Sequence, residues 1–301
     1  MERLESVPLA PPSSNNGLLA VFQRRYLLRL LVRREISARY QGSFLGLMWS
    51  YINPLSHFLV YWAVIGGILG LHKTVPNFPV HIFAGLIVVH FFTETFGAGT
   101  RSIVRNRSIV QKMPLPREMF PVATMLVSLY HVVPQVVIMV VACLLSGWTP
   151  DLYGMVCALL GIGVIMLIGT ASALIFSVAN VFFRDFGNIV NVLQMFVRFG
   201  VPMIYPYSII DERFGRFAQF YTWNPLADAV LLFQRAFWVG TTAGPDDHVP
   251  GGYRTVAYTA AHDMPPNLIL IGLAMVAVGA LFLLLAQLIF TKFENKIPER
   301  L

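Results

Sequence analysis

The chain has 301 residues, of which 56% are hydrophobic and 12% are charged, and its formal net charge is +7. The charged share is about half that of an ordinary soluble domain, so the composition indicates an integral membrane protein and excludes a soluble one. Cys143 and Cys157 lie inside apolar segments. Two such cysteines are too few for a disulfide framework or a zinc site, so we interpret both as small packing residues.

The chain begins with a polar tail and a basic segment. Residues 1–18 are rich in Pro, Ser and Asn and lack the pattern of a signal peptide, which predicts a disordered cytoplasmic tail. Residues 24–39 have a helical pattern with an imperfect apolar face. We expect this helix to lie at the membrane surface, held by anionic headgroups, and also to offer a docking surface for a cytoplasmic partner. Its arginines at helical spacing are Arg25, Arg29, Arg33 and Arg34.

Six membrane-spanning helices are predicted from apolar intervals of about 20 residues or more. The fifth crosses Arg198 and is ended by the two prolines that follow it. Sixteen of the 22 Lys and Arg residues fall on one side if there are six spans, so this side and both termini are predicted to be cytoplasmic. The spans lie near 45–71, 80–100, 121–146, 153–180, 186–204 and 267–290.

A basic loop joins the second and third predicted spans. Residues 101–118 contain five basic residues and one acid. Pro114 and Pro116 limit any helix here to about Ile103–Lys112. A short basic helix on the membrane face is either a lever for a soluble subunit or topology-determining charge alone, and the residues by themselves favour neither.

The segment between the fifth and sixth spans is apolar but too short to cross the membrane twice. Non-helical backbone at membrane depth is tolerated only where it is buried in protein or faces water. Residues 205–238 are therefore predicted to enter the outer leaflet as short helices and to return. Residues 241–266 are predicted to form an exposed loop on the non-cytoplasmic side.

Two charged residues lie inside predicted spans. Glu94 follows His90 by one helical turn, so the two could pair, and Arg198 lies in the fifth span. Ionisable residues at membrane depth are costly and are candidates for function. We interpret both as hydrogen-bonding groups at helix interfaces, because two isolated positions do not make a proton relay.

Several sequence motifs are absent. No glycine is followed by lysine, so the phosphate loop G-x-x-x-x-G-K-[ST] is missing and this chain is not expected to hydrolyse ATP. The chain also lacks H-E-x-x-H, G-x-S-x-G and Cys-x-x-Cys. A transport role would therefore need an ion gradient or a partner ATPase.

Four stretches resemble, in order, the membrane subunit of type-2 ABC exporters of the polysaccharide-export branch. The resemblance extends over about residues 24–296, and the 241–266 loop matches nothing in it. The stretches are "YQGSFLGLMWSYINPL" from Tyr40, "NRSIVQKMPLPREMFP" from Asn106, "ANVFFRDFGNIV" from Ala179, and "VPMIYPYS" with "WNPLADAV" between Val201 and Val230.

The resemblance implies an all-α protomer with a gate helix at 19–41, a six-span domain at 42–296 and a cytoplasmic tail at 297–301. It also implies a homodimer in the plasma (inner) membrane that binds two cytoplasmic ATPase subunits. ATP and Mg²⁺ would be bound by those subunits, while this chain would bind no cofactor or metal and no nucleic acid. The cargo would be a lipid-linked glycan of the O-antigen, teichoic acid or galactan type.

The resemblance also assigns roles to residues. Arg25, Arg29, Arg33 and Arg34 would belong to the gate helix. Contacts with the ATPase would come from Ile103, Arg105, Asn106, Ser108, Ile109, Lys112, Arg184 and Asp185. The channel would be lined by Tyr40, Trp49, Tyr51, Asn53, Phe92 and Phe96, because aromatic rings stack on sugars and polar groups bind hydroxyls. An outer gate would include Tyr205, Trp223, Asn224 and Pro225.

Three other functions remain open from the sequence. An exporter of a drug or a simple lipid in the same superfamily is the main alternative. A gradient-driven carrier would act without an ATPase, but the sequence lacks inverted repeats and a chain of ionisable residues. A membrane-embedded glycosyltransferase would need a nucleotide-sugar site, and none is recognisable.

Overall fold

The computed structural model describes residues 17–68, 70, 75–113, 115–242 and 264–301. Regular structure in these ranges is helical and includes no β-strand. The all-α prediction is thus confirmed for the described part of the chain. The α-helices are α1 Gly17–Gln23, α2 Arg25–Tyr40, α3 Trp49–Val60, α4 Phe78–Arg105, α5 Arg107–Lys112, α6 Met119–Leu145, α7 Leu152–Phe182, α8 Phe186–Phe199, α9 Tyr207–Phe214, α10 Ala218–Tyr221, α11 Pro225–Thr242, α12 Leu268–Glu294 and α13 Ile297–Arg300.

Four of the described helices are long and apolar enough to cross a membrane. They are α4, α6, α7 and α12, with 28, 27, 31 and 27 residues, whereas about 20 residues cross the hydrocarbon core. They coincide with the second, third, fourth and sixth predicted spans. The chain is therefore a multi-pass membrane protein.

The first and fifth predicted spans are shorter than expected. The single helix expected over 45–71 is instead a 3₁₀ turn at Gly46–Met48, then α3, then a π-helix at Tyr61–Ile68. α8 has 14 residues and ends at Phe199, because the prolines after it cannot donate to a continuing helix. α8 does not reach about 20 residues, and the first predicted span is divided into three consecutive helical pieces of 3, 12 and 8 residues, so the six-span topology remains a prediction.

α4 forms the centre of the fold. It packs against α6, α7, α8 and α11, and 78% of its most apolar stretch is buried. The closest approach is at Gly99, where an added Cβ would lie 2.4 Å from the Cβ of Ala173 in α7. Small residues at helix crossings in lipid allow two backbones to approach closely and gain van der Waals contact.

α2 packs beside α6 and α4 and runs from the Arg105 end of α4 toward its middle. Arg105, the last residue of α4, donates to Glu35 at 2.6 Å. Four residues further along α2, Arg39 contacts Glu94. Glu94 precedes Arg105 by about 16 Å along the axis of α4 at 1.5 Å per residue. The loop after α2 therefore begins at the level of the middle of α4.

α11 runs antiparallel to the first part of α7. A Cβ added to Gly154 would lie 3.1 Å from Cα of Ala236, and one added to Gly161 would lie 3.2 Å from the carbonyl oxygen of Ala229. Near the C-terminal end of α11, Trp238 Nε1 donates to the carbonyl of Pro76 at 2.6 Å, just before α4 begins. α11 therefore begins inside the bundle and ends at the opposite end of α4 from Arg105.

Two predicted segments fall largely outside the described residues. The predicted 1–18 tail is outside except for its last two residues, which begin α1. Of the predicted 241–266 loop, residues 243–263 are outside, and the first two residues of the loop complete α11.

Candidate functional site

A cleft of about 570 Å³ with both polar and apolar walls opens between α2, α3, α4, α6 and α8. Its walls combine aromatic rings, hydroxyls, amides, imidazoles and two arginines. Among the described residues that line it, none is Asp or Glu. The lining residues from α2 to α3 are Arg39, Tyr40, Ser43, Trp49, Ser50, Asn53, Pro54, His57 and Tyr61, and those from the other helices are Leu86, Val89, His90, Thr93, His131, Gln135 and Arg198.

The loop between α2 and α3 depends on two glycines. Gly42 and Gly46 have φ values of +76° and +51°, a region that other residues rarely adopt. The N–H of Gly46 donates to Ser43 Oγ at 3.1 Å, and the hydroxyls of Tyr40 and Ser50 hydrogen-bond across the loop. These contacts fix the position of the first turn of α3, which forms part of the wall of the cleft.

A three-residue network lies at the base of the cleft. Glu94 of α4 contacts Arg39 of α2 and is 2.8 Å from Nδ1 of His131 in α6. The Glu94 and His131 side chains are 11% and 6% exposed. A buried carboxylate needs such partners to offset its lost hydration. Glu94 thus joins three helices, as predicted for an interface residue, but its hydrogen-bonded partners are Arg39 and His131 rather than His90.

His90 has a different partner, and the partner defines its tautomer. Gln135 Nε2 is 2.7 Å from His90 Nδ1 and also donates to the carbonyl of His131 at 3.1 Å. Because an amide nitrogen only donates, Nδ1 of neutral His90 accepts, and its proton is on Nε2. His90 is exposed to the cleft and offers it a donor.

A second cavity, of about 410 Å³, separates α2 from the Arg105 end of α4. Arg34 donates to Asn106 Oδ1 at 3.3 Å, and Arg105 donates to Glu35. Asn106 is the residue between α4 and α5. The expected helix Ile103–Lys112 is therefore the last turn of α4, a break at Asn106, and α5.

The predicted ATPase contacts occupy one end of the molecule but differ in exposure. Ile103 and Asn106 are buried, and Ile109 is half-buried. The exposed members are Arg105, Ser108, Lys112, Arg184 and Asp185. On α2, Leu28 and Leu31 are buried, whereas the predicted gate-helix residues Arg25, Arg29, Arg33 and Arg34 are exposed.

The predicted outer-gate residues lie in a separate region. Tyr205 and Tyr221 have their hydroxyls 3.2 Å apart and line an aromatic cavity of about 580 Å³. Asn224 accepts from the N–H of Leu226 at 3.1 Å and so caps α11, which begins at Pro225. Trp223 is 73% exposed. Of the four predicted residues, the structure places only Tyr205 in this cavity.

Only some of the six predicted channel-lining residues line the cleft in the structure. Tyr40, Trp49 and Asn53 line the cleft, whereas Tyr51 does not. Phe92 and Phe96 are each 4% exposed and belong to the buried core, where Phe96 contacts the ring of Phe176 edge-on at 4.9 Å. Phe92 and Phe96 are therefore removed from the predicted lining of this protomer.

Sequence reasoning missed several polar residues of the cleft. They are Arg39, His57, His131 and Gln135. The last three share a simple signal, which is a polar side chain inside an otherwise apolar stretch, whereas Arg39 belongs to the basic segment at 24–39.

Comparison with known proteins gives the family. Residues 26–238 match the family model described as ABC-2 type transporter. The chain is 31% identical to the O-antigen export system permease protein RfbA of Myxococcus xanthus over 220 residues, which are 72% of this chain and 82% of the relative. It is 30% identical to RfbA of Klebsiella pneumoniae, with 71% and 81% covered. It is 23% identical to the polysialic acid transport protein KpsM of Escherichia coli, with 72% and 83% covered. The chain therefore belongs to the ABC-2 type transporter membrane family.

Proposed function

We propose that this chain is the transmembrane subunit of an ATP-driven exporter that moves a lipid-linked cell-envelope polysaccharide outward across the plasma (inner) membrane. The observation that carries the proposal is the match over most of the chain to permeases named for O-antigen export and polysialic acid transport. The polar, aromatic cleft supports it, because a sugar chain needs ring faces and hydrogen-bonding walls.

The proposed topology has six crossings and both termini in the cytoplasm. α2 lies partly inside the membrane, so that α3 and the π-helix after it complete the first crossing. α8 makes most of the fifth crossing, and α9–α11 enter from the outer side and return. Within the irregular backbone at 41–48, Ser43 lines the cleft, and non-helical backbone at membrane depth is tolerated where it lines a cavity.

The proposed assembly is a homodimer with two ATPase subunits, and the glycan passes between the protomers. ATP and Mg²⁺ belong to the ATPase subunits. The exposed side of α5, with Ser108 and Lys112, docks on the ATPase, and Arg184 with Asp185 forms a second contact. When the ATPases move together, α5 moves the end of α4, and the contacts from Arg105 and Asn106 to α2 carry that motion to the cleft.

The test is affinity purification of the tagged chain, followed by depletion in cells. We expect an ABC ATPase to copurify in a 2:2 assembly, and depletion to trap lipid-linked glycan in the cytoplasmic leaflet. A drug or simple-lipid exporter would copurify with an ATPase but would trap no glycan. A chain that moves cargo in vesicles without any ATPase would contradict the proposal.

A matched pair of variants tests the docking surface. Lys112→Glu on α5 should lose copurified ATPase because it reverses a charge on the proposed contact. Arg213→Glu reverses an exposed charge on α9, which the proposed topology places on the other side of the membrane, and should retain it. Equal ATPase recovery from both variants would contradict docking through α5.

A further inference from the structure

We propose that the aromatic cavity at α9 and α10 binds one acyl chain of an anionic membrane phospholipid, and that the exposed Arg213 contacts the phosphate of its headgroup. The occupant is a lipid of the surrounding bilayer and not the cargo. The inference goes beyond the proposed export function and takes from it only the side of the membrane, which is the outer leaflet. It would hold equally for an exporter of any other cargo.

The first observation is where the cavity lies. Tyr207 and Ile210 of α9 pack in one buried cluster with Leu268, the first residue of α12. The carbonyl of Glu294, the last residue of α12, accepts from Arg117 at 2.7 Å, at the α5 end of the molecule. The 27 residues of α12 extend over about 40 Å, and the hydrocarbon core of a bilayer is about 30 Å thick. The cavity therefore lies near the bilayer surface opposite to α5.

The second observation is the apolar lining of the cavity. Its volume of about 580 Å³ is within the range of about 300–1,000 Å³ of pockets that hold one small ligand. Its described walls are mostly aliphatic and aromatic, and they include the rings of Phe214, Phe217 and Phe220. These three side chains are 61%, 64% and 72% exposed. A cavity of this kind beside a bilayer takes hydrocarbon, because apolar walls offer water too few hydrogen-bond partners.

The third observation is the charge of the cavity. Arg213 is the one charged residue among the described residues that line it. Asp211 and Glu212 are exposed on the same helix but do not line the cavity. In the described part of the chain, no carboxylate lies within salt-bridge distance of Arg213. Its charge is therefore available to a ligand anion, and a guanidinium binds two oxygens of a phosphate at once.

An apolar cavity with one arginine at its exposed side is complementary to an anionic amphiphile. The acyl chain fills the space between the rings, and the phosphate meets Arg213. A neutral lipid or a neutral sugar would leave that charge unmatched. Phospholipid also surrounds a membrane protein at high local concentration, so even a weak affinity is enough to fill the cavity.

The cavity is joined to the end of α8 through two tyrosines of its wall. Tyr205 donates to the carbonyl of Phe199 at 3.1 Å. Tyr221 donates to the carbonyl of Gly200 at 3.0 Å. Both rings line the cavity, so an acyl chain packed against them would hold the turn between α8 and α9 in place. The bound lipid is therefore expected to stabilise the end of the protomer opposite to α5.

Photolabelling in nanodiscs tests the inference without relying on transport. The full-length chain, with any ATPase that copurifies, is reconstituted with a trace of phosphatidylglycerol or phosphatidylcholine that carries a diazirine on the same acyl chain. Labelled peptides are identified by mass spectrometry. We expect phosphatidylglycerol to label α9–α10 about fivefold more than phosphatidylcholine, which is the preference that one basic residue near a charged headgroup supports. α12, where Leu281 is exposed, contacts bulk lipid and should be labelled equally by both.

Two variants separate the charge from the apolar wall. Arg213→Gln should abolish the preference for phosphatidylglycerol and leave labelling by phosphatidylcholine unchanged. Phe217→Ala removes part of the wall and should lower the labelling of α9–α10 by both lipids. The matched controls are Arg29→Gln at the other end of the molecule and Phe196→Ala on α8, an exposed phenylalanine outside the cavity. Neither control should change the labelling, and melting at the wild-type temperature verifies that each variant is folded.

Three outcomes overturn the inference. The first is equal labelling of α9–α10 by the two lipids in the wild-type chain, and the second is a preference that survives Arg213→Gln. The third is labelling of α9–α10 no stronger than that of α12, together with cross-links from α9–α10 to a second copy, which would assign the cavity to a contact between protomers. Because the labelling needs neither ATPase nor glycan, its failure leaves the proposed export function intact, and absence of a copurified ATPase leaves the lipid site intact.

Discussion

α4 and α12 have nearly equal lengths but opposite surroundings. α12 is the most apolar of the four long helices, and only 22% of its most apolar stretch is buried. α4 is the least apolar, and 78% of the corresponding stretch is buried. In a soluble protein the ranking would be reversed. Here the exterior is lipid, so the more apolar helix lies outside, and the helix with small and polar side chains lies inside.

The largest expected effect is at the crossing of α4 and α7. Gly99→Leu would force a side chain into Ala173, where a single Cβ already overlaps. Overpacking of this kind costs about 1–3 kcal/mol or more, so we expect the yield of folded protein in detergent to fall severely. Gly163→Leu on α7 is the matched control, because nothing lies within 4 Å of its added Cβ. Similar losses for both would mean that the close crossing is not what stabilises the bundle.

The next effect concerns the buried acid of α4. Glu94→Gln keeps the shape of the side chain but removes the charge that Arg39 and His131 contact. Burial of poorly satisfied groups costs about 1–3 kcal/mol, which should lower the melting temperature by several degrees. Glu35→Gln is the control, because Glu35 is 19% exposed against 11% for Glu94, whose carboxylate also contacts His131. An exposed pair such as Glu35–Arg105 contributes at most about 1 kcal/mol. A larger loss in Glu35→Gln would contradict the assignment of the central network.

A smaller effect is expected at the wall of the cleft that faces α4. Trp49→Leu should slow export by roughly threefold to tenfold, as expected from an aromatic contact of about 0.5–1.5 kcal/mol. Tyr51→Leu should slow it less, because Tyr51 does not line the cleft. Export assays with matched protein levels separate the two. An effect confined to Tyr51→Leu would place the path on the other side of α3.

The smallest effect is expected on the lipid-facing side of α12. Leu281 is 62% exposed, and Leu268 is 2% exposed. Leu281→Ala should change stability by less than about 0.5 kcal/mol, because its side chain contacts little protein. Leu268→Ala on the same helix should cost about 2 kcal/mol or more. Thermal melts in nanodiscs compare the two, and equal shifts would show that α12 is enclosed rather than peripheral.

The sequence predicted the long helices well, because about 20 apolar residues in a row have few alternatives to crossing a membrane. It predicted the position of the first span but not its division into a 3₁₀ turn, α3 and a π-helix, and it predicted α8 to be longer than it is. The end of α8 depends on the turn after Phe199, which follows from tertiary contacts. Glu94 was recognised as an interface residue, but its partners were not, because Arg39 and His131 are distant in sequence.

The candidate site was predicted only in part, because several of its residues are also distant from one another in sequence. Tyr40, Trp49 and Asn53 lie in one local stretch, and local spacing was enough to group them. Phe92 and Phe96 are aromatic residues in a predicted span, as channel-lining residues would be, and only the packing against α7 reveals that they are core residues. The cleft needs contributions from α4, α6 and α8, and a single sequence does not indicate which faces of those helices meet.

The glycine-containing loop at 41–48 has an electrical consequence. Peptide groups of this loop that have no helical partner need water or other protein groups as hydrogen-bond partners, which favours a hydrated cleft even when no cargo is present. In the proposed topology, water that reaches the middle of the bundle would leave only the outer half of the protein as insulation. The resting membrane voltage would then fall mainly across the region of α9–α11, and those helices would have to block the leakage of small ions.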